Sequence, residues 1–250
     1  MIVQTIVLGI VQGLTEFLPI SSSGHLAILE KIFGINEPVV LTAFLHFSTF
    51  IATVIFFFNS IIDIFKGLIR GEKETVKYVI NIMIGTIPIV VFVLFFESWI
   101  EQSFNDIQLI TILLGITGLI VLLTGFIQKQ EKKISPLLAL IIGIGQMFAT
   151  LPGLSRSGLT ISAGLFTGVS PREAFKFSFL LSLPAIFGAN LLELKNISKI
   201  DSYGTLFGGM LFGFVCGLFA LKILRDSVHK RFHLFGIYCL VISVIMLLLR

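Results

Sequence analysis

The sequence predicts an all-α integral membrane protein with six transmembrane helices and two re-entrant helix–break–helix hairpins. Three observations indicate this class. First, 56% of the 250 residues are hydrophobic, mean hydropathy is +1.03, and only 13% are charged, against about 25% in soluble domains. Second, six apolar runs are long enough to cross a bilayer core, which takes about 20 helical residues. Third, two more apolar stretches are each broken by Pro, Gly and Ser.

The broken stretches lie at about 1–33 and 134–169. Because proline ends a helix and glycine weakens it, each is predicted to fold as two short helices around a break. Backbone without helical hydrogen bonds is tolerated at membrane depth only where it lines a protein cavity. A single crossing by either stretch would place the charged loops on the wrong side, so both stretches are predicted to be re-entrant.

The charges between the apolar runs predict the orientation. Lys and Arg gather in the loops 59–77, 128–135 and 222–233, whereas 97–106 carries three acidic residues and no basic one. Positive loops face the cytoplasm, so 97–106 is predicted to lie outside. The same loops account for the net charge of +4, and no nucleic-acid partner is expected. The predicted crossings are 39–58, 78–96, 107–127, 174–193, 203–221 and 232–249.

Two helix starts carry capping signals. Ser170 followed by Pro171 and, three residues on, by Glu173 forms a capping box with proline at the first helical position. A helix is therefore predicted to begin at Pro171, and the simplest explanation of Arg172 and Glu173 is this helix start. Asn36 before Glu37 and Pro38 predicts the start of the first crossing in the same way.

The two broken stretches resemble each other at an offset of 134 residues. Each half contains one hairpin and three crossings, and the odd number of crossings makes the second half insert upside down. The chain is thus predicted to be one membrane domain over 1–250, with a first repeat at 1–133 and a second, inverted repeat at 134–250 whose hairpin meets the first near the bilayer midplane. The matching pairs are Gly9 and Gly143, Ile10 and Ile144, Gln12 and Gln146, Ser21 and Ser155, Ser23 and Ser157, and Gly24 and Gly158.

The first break carries groups suited to a metal ion and an anion. Gln12 and Glu16 are four residues apart, so on a helix they share a face and can present oxygen atoms to a divalent metal. The Ser21–Gly24 run leaves hydroxyl and free backbone N–H groups at the start of the next helix, which suits phosphate. His25 lies within one turn of that helix end.

The second break repeats this pattern around Gly153, Ser155, Ser157 and Thr160, and adds Arg156. An arginine at the centre of a membrane helix costs about 2.5–3.5 kcal/mol on insertion scales, and its planar fork matches phosphate oxygens. One carboxylate, one imidazole, one guanidinium and several hydroxyls at two helix starts are the groups that phosphoryl transfer requires.

Structural explanations exist for each group. Glu16 and Arg156 can form a purely structural ion pair between the hairpins, and a serine in a break can simply satisfy freed backbone groups. His46, inside the apolar run 39–58, is more often a hydrogen-bonded core histidine. The functional interpretation rests on the conjunction of these groups in two breaks that are predicted to meet.

The sequences Gln-Gly-Leu-Thr-Glu-Phe-Leu-Pro-Ile-Ser-Ser-Ser-Gly-His-Leu at 12–26 and Pro-Gly-Leu-Ser-Arg-Ser-Gly-Leu-Thr-Ile at 152–161 closely resemble the two signature motifs of the undecaprenyl pyrophosphate phosphatases, the bacitracin-resistance family. The resemblance extends over the whole chain and includes 85–88 and 170–184. It implies an integral membrane phosphatase that converts a C55 lipid diphosphate to the monophosphate at the outer face of the cytoplasmic membrane. This reaction recycles the carrier for peptidoglycan synthesis and lowers sensitivity to bacitracin.

The resemblance also implies roles for individual residues. Glu16 matches the essential acid, Ser22 and His25 match the serine and histidine proposed as nucleophile and acid/base, and Arg156 matches the arginine that grips the diphosphate. The sequence leaves open whether Ser22 or His25 attacks. Replacing any of Ser22, His25 and Arg156 by Ala is expected to abolish phosphate release. The residues expected to bind substrate are Ser21, Ser23, His46, Gly153, Ser155, Ser157 and Thr160.

The expected cofactor is Mg²⁺ or Ca²⁺, held by Gln12 and Glu16. Many family members have Glu where this chain has Gln12, which removes one negative charge from such a site. His46 is followed by Phe-Ser-Thr where Leu-Gly-Thr is usual. The expected partners are a long-chain polyprenyl diphosphate and membrane lipid, and a homodimer is one alternative for the oligomeric state.

Two other functions are compatible with part of this sequence pattern. Lipid phosphatases of the phosphatidic acid phosphatase superfamily share the Ser-Gly-His and Ser-Arg fragments, but their upstream Lys-x6-Arg-Pro and downstream His-x3-Asp patterns are missing. A transporter or flippase for a lipid phosphate is the alternative from a different class, because inverted repeats and broken helices are typical of transporters.

Overall fold

The structure, a computed structural model, describes residues 2–34, 38–128, 130–193 and 203–248. These residues form eleven α-helices, and the ordered secondary structure between them is a 3-10 turn at Thr124–Phe126 and one isolated bridge from Lys132 to Val169. The helices are α1 (Ile2–Phe17), α2 (Ser22–Phe33), α3 (Pro38–Phe56), α4 (Phe58–Ile69), α5 (Lys73–Ser103), α6 (Ile107–Leu123), α7 (Pro136–Phe148), α8 (Arg156–Phe166), α9 (Pro171–Glu193), α10 (Tyr203–Ser227) and α11 (Leu234–Leu248).

Both broken stretches fold as predicted, as two short helices on either side of a break. In the first, α1 ends at Phe17, just before Pro19, and α2 begins at Ser22. In the second, α7 ends at Phe148 and α8 begins at Arg156. The helices of each pair pack against each other. That each pair enters and leaves the membrane on one side, as a re-entrant hairpin does, stays a prediction.

The helix start predicted at Pro171 is confirmed. The backbone N–H of Glu173 donates to Ser170 Oγ at 3.4 Å, as an N-cap serine requires. The cap predicted at Asn36 lies outside the described residues.

Each predicted crossing contains a helix, but the lengths differ from prediction. Among the described residues, four helices are long and apolar enough to span a membrane, namely α5, α6, α9 and α10, and α3 with α4 makes a fifth if that bent pair is one span. The helix in the predicted crossing 232–249 has only 15 residues, fewer than the roughly 20 that a bilayer core takes. The described residues thus support a multi-pass membrane protein with four or five spans, and the count of six stays a prediction.

Two segments predicted as loops are largely helical. Residues 59–69 of the segment 59–77 belong to α4, which is bent by 66° from α3 at Phe57. Its apolar residues recur at helical spacing around Asp63 and Lys66. The loop was predicted from the charges alone, which do not show this spacing. The acidic segment 97–106 is helical up to Ser103, because α5 continues past non-helical backbone at Phe96.

The outward surface of the helices is apolar, as a lipid environment requires. Phe95, Leu94 and Phe207 are 78%, 75% and 69% exposed, and only 11% of the most apolar part of α5 is buried. Exposed apolar surface of this extent is not stable in water. The protein is therefore a membrane protein, and its buried polar groups lie inside the helix bundle.

Glycines bring the broken helices against the long ones. Gly9 of α1 lies against Gly209 of α10, and its counterpart Gly143 of α7 lies against Gly85 of α5. At both positions a Cβ atom would overlap the facing backbone. Helices in membranes associate through such small residues, because lipid provides no hydrophobic force between them.

Gly9→Ala is expected to lower the free energy of unfolding by about 1–3 kcal/mol, because the added methyl group has no space between α1 and α10. Thermal unfolding in detergent measures the loss. Gly188→Ala in α9 is the matched control, since a Cβ atom there meets nothing within 4 Å. Equal unfolding temperatures for the two variants would contradict the close contact of α1 and α10.

Candidate active site

The first break is held by Ser21, which caps α2. Ser21 Oγ accepts a hydrogen bond from the backbone N–H of Gly24 at 3.3 Å and lies 3.3 Å from Ser23 Oγ. Ser21 has a φ of 65°, the left-handed region that residues other than glycine rarely adopt. Strained backbone of this kind is typical of functional sites.

The second break repeats these hydrogen bonds. Ser155 Oγ accepts from the backbone N–H of Gly158 at 3.2 Å and lies 3.3 Å from Ser157 Oγ. The two breaks also touch, because the backbone N–H of Gly153 donates to Ser23 Oγ at 3.4 Å. The predicted meeting of the two breaks is therefore confirmed, and the matching serines have matching positions at the two helix starts.

Glu16 is the centre of the candidate site. Ser22 Oγ donates to Glu16 Oε2 at 2.6 Å, and Arg156 Nη2 donates to Glu16 Oε1 at 2.5 Å. Gln12 Nε2 donates to Glu16 Oε2 at 3.3 Å from one helical turn away. The side chains of Glu16 and Arg156 are 8% and 14% exposed, so this ion pair is largely shielded from water. A carboxylate from the first hairpin thus binds the guanidinium of the second.

His46 of α3 joins this cluster. Its Nδ1 atom lies 2.9 Å from Gln12 Nε2 and 3.5 Å from Glu16 Oε2. The imidazole is 32% exposed, against 8% for the Glu16 side chain and 14% for the Arg156 side chain. His46 is therefore neither an isolated core histidine nor part of a break, and it lies where the cluster opens outward.

His25 has different neighbours. Its Nδ1 atom lies 2.8 Å from the carbonyl oxygen of Ser21, and its Nε2 atom lies 2.9 Å from the hydroxyl of Tyr238 on α11, whose ring stacks on the imidazole. A carbonyl oxygen only accepts, so Nδ1 carries the proton and a neutral His25 accepts from Tyr238 through Nε2. Among the described residues, neither hydrogen bond of His25 reaches Glu16, Ser22 or Arg156.

Several residues predicted to bind substrate also make hydrogen bonds that support the second break. Thr160 Oγ1 donates to the carbonyl oxygen of Arg156 at 2.6 Å and lies 2.6 Å from Ser178 Oγ of α9. Ser155, Ser157 and Thr160 are all buried. They fix the backbone that carries Arg156, and their contact with substrate stays a prediction.

Three supporting residues were missed by sequence reasoning. Thr117 of α6 donates to the carbonyl oxygen of Gly153 at 3.1 Å, and Cys239 of α11 donates to the carbonyl oxygen of Pro19 at 3.3 Å. Pro19 and Gly153 occupy matching positions of the two repeats, 134 residues apart. The same carbonyl oxygen of each break therefore accepts a hydrogen bond from a neighbouring helix. Tyr238 is the third. All three lie in apolar runs that carry no local signal of function.

Two buried polar atoms at the centre have no hydrogen-bond partner among the described residues. They are Arg156 Nη1 and Gln12 Oε1. Buried polar groups are almost always satisfied, so unpartnered atoms here are the natural contacts of a ligand. The Arg156 guanidinium also lies over the ring of Phe179, 5.8 Å from its centroid, which supports its position by a cation–π interaction.

The donor set fits a divalent metal that is shared with a ligand. Gln12 Oε1 is an unused oxygen next to Glu16, whose carboxylate already binds Arg156, Ser22 and Gln12. In the described part of the chain, no three His, Cys, Asp or Glu side chains lie close enough to hold a metal ion by themselves. Mg²⁺ typically takes one or two protein oxygens together with water and substrate phosphate, so Gln12 and Glu16 suit that mode.

Comparisons with known proteins give the same family as the signature motifs. A family described as "Bacitracin resistance protein BacA" matches residues 5–245. A protein named undecaprenyl-diphosphatase from Methanococcus maripaludis is 43% identical over 248 residues, covering 98% of each chain. Proteins of the same name from Thermosipho melanesiensis and Thermotoga petrophila are 42% and 37% identical, covering 96% of this chain and 96% and 97% of their own. The chain therefore belongs to the bacitracin resistance protein BacA family.

Proposed function

We propose that this protein is a membrane phosphatase that hydrolyses undecaprenyl diphosphate to undecaprenyl phosphate and inorganic phosphate. The observation that carries the proposal is the position of Glu16, which binds the hydroxyl of Ser22 and the guanidinium of Arg156 at once. A nucleophile, its base and a phosphate-binding cation thus occupy one buried site. The names of the relatives support the substrate.

In the first step, Ser22 Oγ attacks the terminal phosphorus atom of the diphosphate. The proton of the hydroxyl passes to Glu16 Oε2, its hydrogen-bond acceptor, and the bond from phosphorus to the bridging oxygen breaks. Undecaprenyl phosphate leaves with that oxygen. In the second step, water attacks the phosphorus atom and the bond to Ser22 Oγ breaks. Glu16 returns its proton to Ser22 Oγ, and the proton released by the water leaves with inorganic phosphate.

Arg156 binds the diphosphate through the atoms that Glu16 does not use. Its Nη1 has no partner in the part of the chain that the structure describes, so the guanidinium can donate to a phosphate oxygen while Nη2 remains close to Glu16. Donors placed where charge develops in the transition state contribute most to such reactions. His46 lies 3.5 Å from Glu16 Oε2, and its Nδ1 accepts from the amide of Gln12 at 2.9 Å, which holds that amide beside Glu16.

His25 has a positioning role in this scheme, because both of its ring nitrogens are engaged by Ser21 and Tyr238. It holds the strained carbonyl at the start of α2, one residue before Ser22. The direct attack by His25 that the sequence leaves open would first require Tyr238 to release Nε2.

A divalent ion bound by Gln12 and Glu16 would neutralise charge on the phosphate oxygens. Gln12→Glu is expected to lower the concentration of Mn²⁺, used in place of Mg²⁺, for half-maximal binding by about tenfold, because the ion compensates the charge of a second carboxylate beside Glu16. Titration with Mn²⁺ followed by electron paramagnetic resonance measures binding without turnover. Gln146→Glu, at the matching position of the second hairpin, is the control. An equal gain in both variants would argue against a metal at Gln12.

The membrane layout that we propose has six crossings and two re-entrant hairpins, in repeats at 1–133 and 134–250 with opposite orientation. The equivalent hydrogen bonds in the two breaks support it. The site then opens to the outer face of the cytoplasmic membrane, where its activity would confer bacitracin resistance. An impermeant thiol reagent applied to intact cells should label Gln102→Cys and not Lys230→Cys, and the reverse pattern would refute the orientation.

The decisive assay uses purified protein in detergent with undecaprenyl diphosphate and either Mg²⁺ or Ca²⁺. Release of inorganic phosphate, absent from the Glu16→Gln variant, is the expected result. Binding of the lipid without hydrolysis under both ions would favour the transporter alternative, to which the two broken helix pairs are also suited.

A further inference from the structure

A cavity of about 270 Å³ lies well away from the Glu16 site. It forms where the basic segments 128–135 and 222–233 meet the start of α9. Leu165, near the end of α8, lines this cavity, whereas Arg156 begins the same helix. At 1.5 Å per residue, about 14 Å of helix separates the two places.

The polar lining of this cavity includes several hydrogen-bond donors and one lysine. His229, Lys230 and His233 contribute from one segment, and Gln128 and Gln130 from the other. A neutral imidazole still donates from one ring nitrogen, so the histidines suit an anion in either charge state. None of the described lining residues is Asp or Glu.

The acidic residues near the cavity are not among the described residues that line it. Asp226 pairs with Arg225 at 3.0 Å, Glu131 is exposed beside Gln130, and Glu173 lies in the first turn of α9 without lining the cavity. Pro171, the first residue of α9, also lines the cavity, so the positive end of a 23-residue helix dipole points toward it. The electrostatic environment therefore favours a negatively charged ligand.

The remaining lining is apolar. Ile127, Leu165, Val169 and Phe232 form part of the wall. A volume of about 270 Å³ is just below the range of about 300–1,000 Å³ for ligand pockets, which suits a headgroup rather than a long chain. A phosphate group attached to an apolar anchor matches both kinds of lining.

The position of His233 depends on a glycine. Gly125 lies in the 3-10 turn against the imidazole, and a Cβ atom there would come within 2.9 Å of His233 Cγ. An alanine at 125 would therefore displace the ring without changing any charge. This offers a test of the cavity that is independent of charge.

We propose that this cavity binds the phosphate headgroup of an anionic lipid, separately from the phosphatase site. The segments that form it are those that the positive-inside rule places in the cytoplasm. The site is therefore expected to take lipid from that leaflet. The proposal does not depend on the reaction at Glu16, because none of the described residues that line the cavity belongs to that site.

Native mass spectrometry of the purified protein tests the proposal with added phosphatidic acid or phosphatidylcholine of equal chain length. Phosphatidic acid is expected to be retained at least tenfold more strongly. The triple variant His229→Gln, Lys230→Gln, His233→Gln and the single variant Gly125→Ala are each expected to lose most of this preference. The control is Lys66→Gln, Arg70→Gln, Lys73→Gln, which removes three charges from another basic segment.

Loss of the preference in the control to the same extent as in the triple variant would overturn the proposal. So would an unchanged preference in the triple variant. Inorganic phosphate distinguishes the source of the anion. One result would show that the assignment to lipid is wrong and that the site takes free phosphate. In that result, the triple variant loses binding of inorganic phosphate, while the unmodified protein retains phosphatidic acid no better than phosphatidylcholine.

Discussion

Arg156→Ala is expected to reduce phosphate release from undecaprenyl diphosphate by about a thousandfold or more. The guanidinium supplies the cationic donors of the site, and loss of a single donor to a transition-state oxyanion already costs about a hundred- to a thousandfold. The substitution also leaves the buried Glu16 without its cation. A steady-state assay of released phosphate in detergent measures the effect.

The stability of the variant must be separated from its activity. Removing one partner of a buried ion pair can destabilise a protein by about 3–5 kcal/mol. Arg156→Lys keeps the charge and loses the planar fork, so it is expected to fold and to remain at least tenfold less active. The double variant Glu16→Gln, Arg156→Gln removes both charges and is expected to recover stability without activity.

These variants discriminate between the catalytic role of the pair and a purely structural one. If the double variant releases phosphate at the rate of the unmodified protein, the pair only joins the two hairpins. Unfolding temperatures measured on the same samples show whether any loss of activity reflects unfolding.

Ser22→Ala is expected to abolish both turnover and formation of a phosphoenzyme. Brief incubation with terminally labelled diphosphate followed by acid quenching should trap the label on the unmodified protein, because phosphoserine survives acid and phosphohistidine does not. The hydroxyl already donates to Glu16 at 2.6 Å, so its proton has an acceptor in place. Peptide mapping should place the label at Ser22.

Two variants serve as comparisons. Ser243→Ala removes another buried serine, which donates to the carbonyl oxygen of Thr111 at 2.8 Å far along the chain from either break, and is expected to keep normal activity. Tyr238→Phe frees His25 Nε2 and is expected to lower the rate several-fold without removing the label. A label that is lost in acid, or that persists in Ser22→Ala, would show that His25 or another residue attacks.

The helix boundaries around the breaks were predictable because they depend on neighbouring residues. Pro19 ends α1, and Ser21, Ser155 and Ser170 accept hydrogen bonds at the helix starts that follow them. A serine oxygen three residues before an unpaired backbone N–H forms such a cap in almost any surroundings. The same local logic identified Glu16 and Arg156, because charge in an apolar segment is costly unless it is paired.

Helix lengths were predicted less well. The charges of 59–77 and 97–106 suggested loops, yet α4 and the end of α5 are helical. Charged residues are compatible with helices that leave the apolar core, so the loss of hydropathy marks the end of a span and not the end of a helix. The spans and the helices are therefore separate features of this chain.

The sequence by itself determined the class of protein, the two breaks, the capped helix starts and the family. These follow from composition and from interactions within a few residues. Only the tertiary structure decided which groups meet: Glu16 with Arg156, 140 residues away, His25 with Tyr238, 213 residues away, and Gln12 with His46. Such contacts depend on how α1, α3, α8 and α11 pack, and that packing is fixed by glycine contacts and side-chain shapes over the whole bundle, which no local pattern encodes.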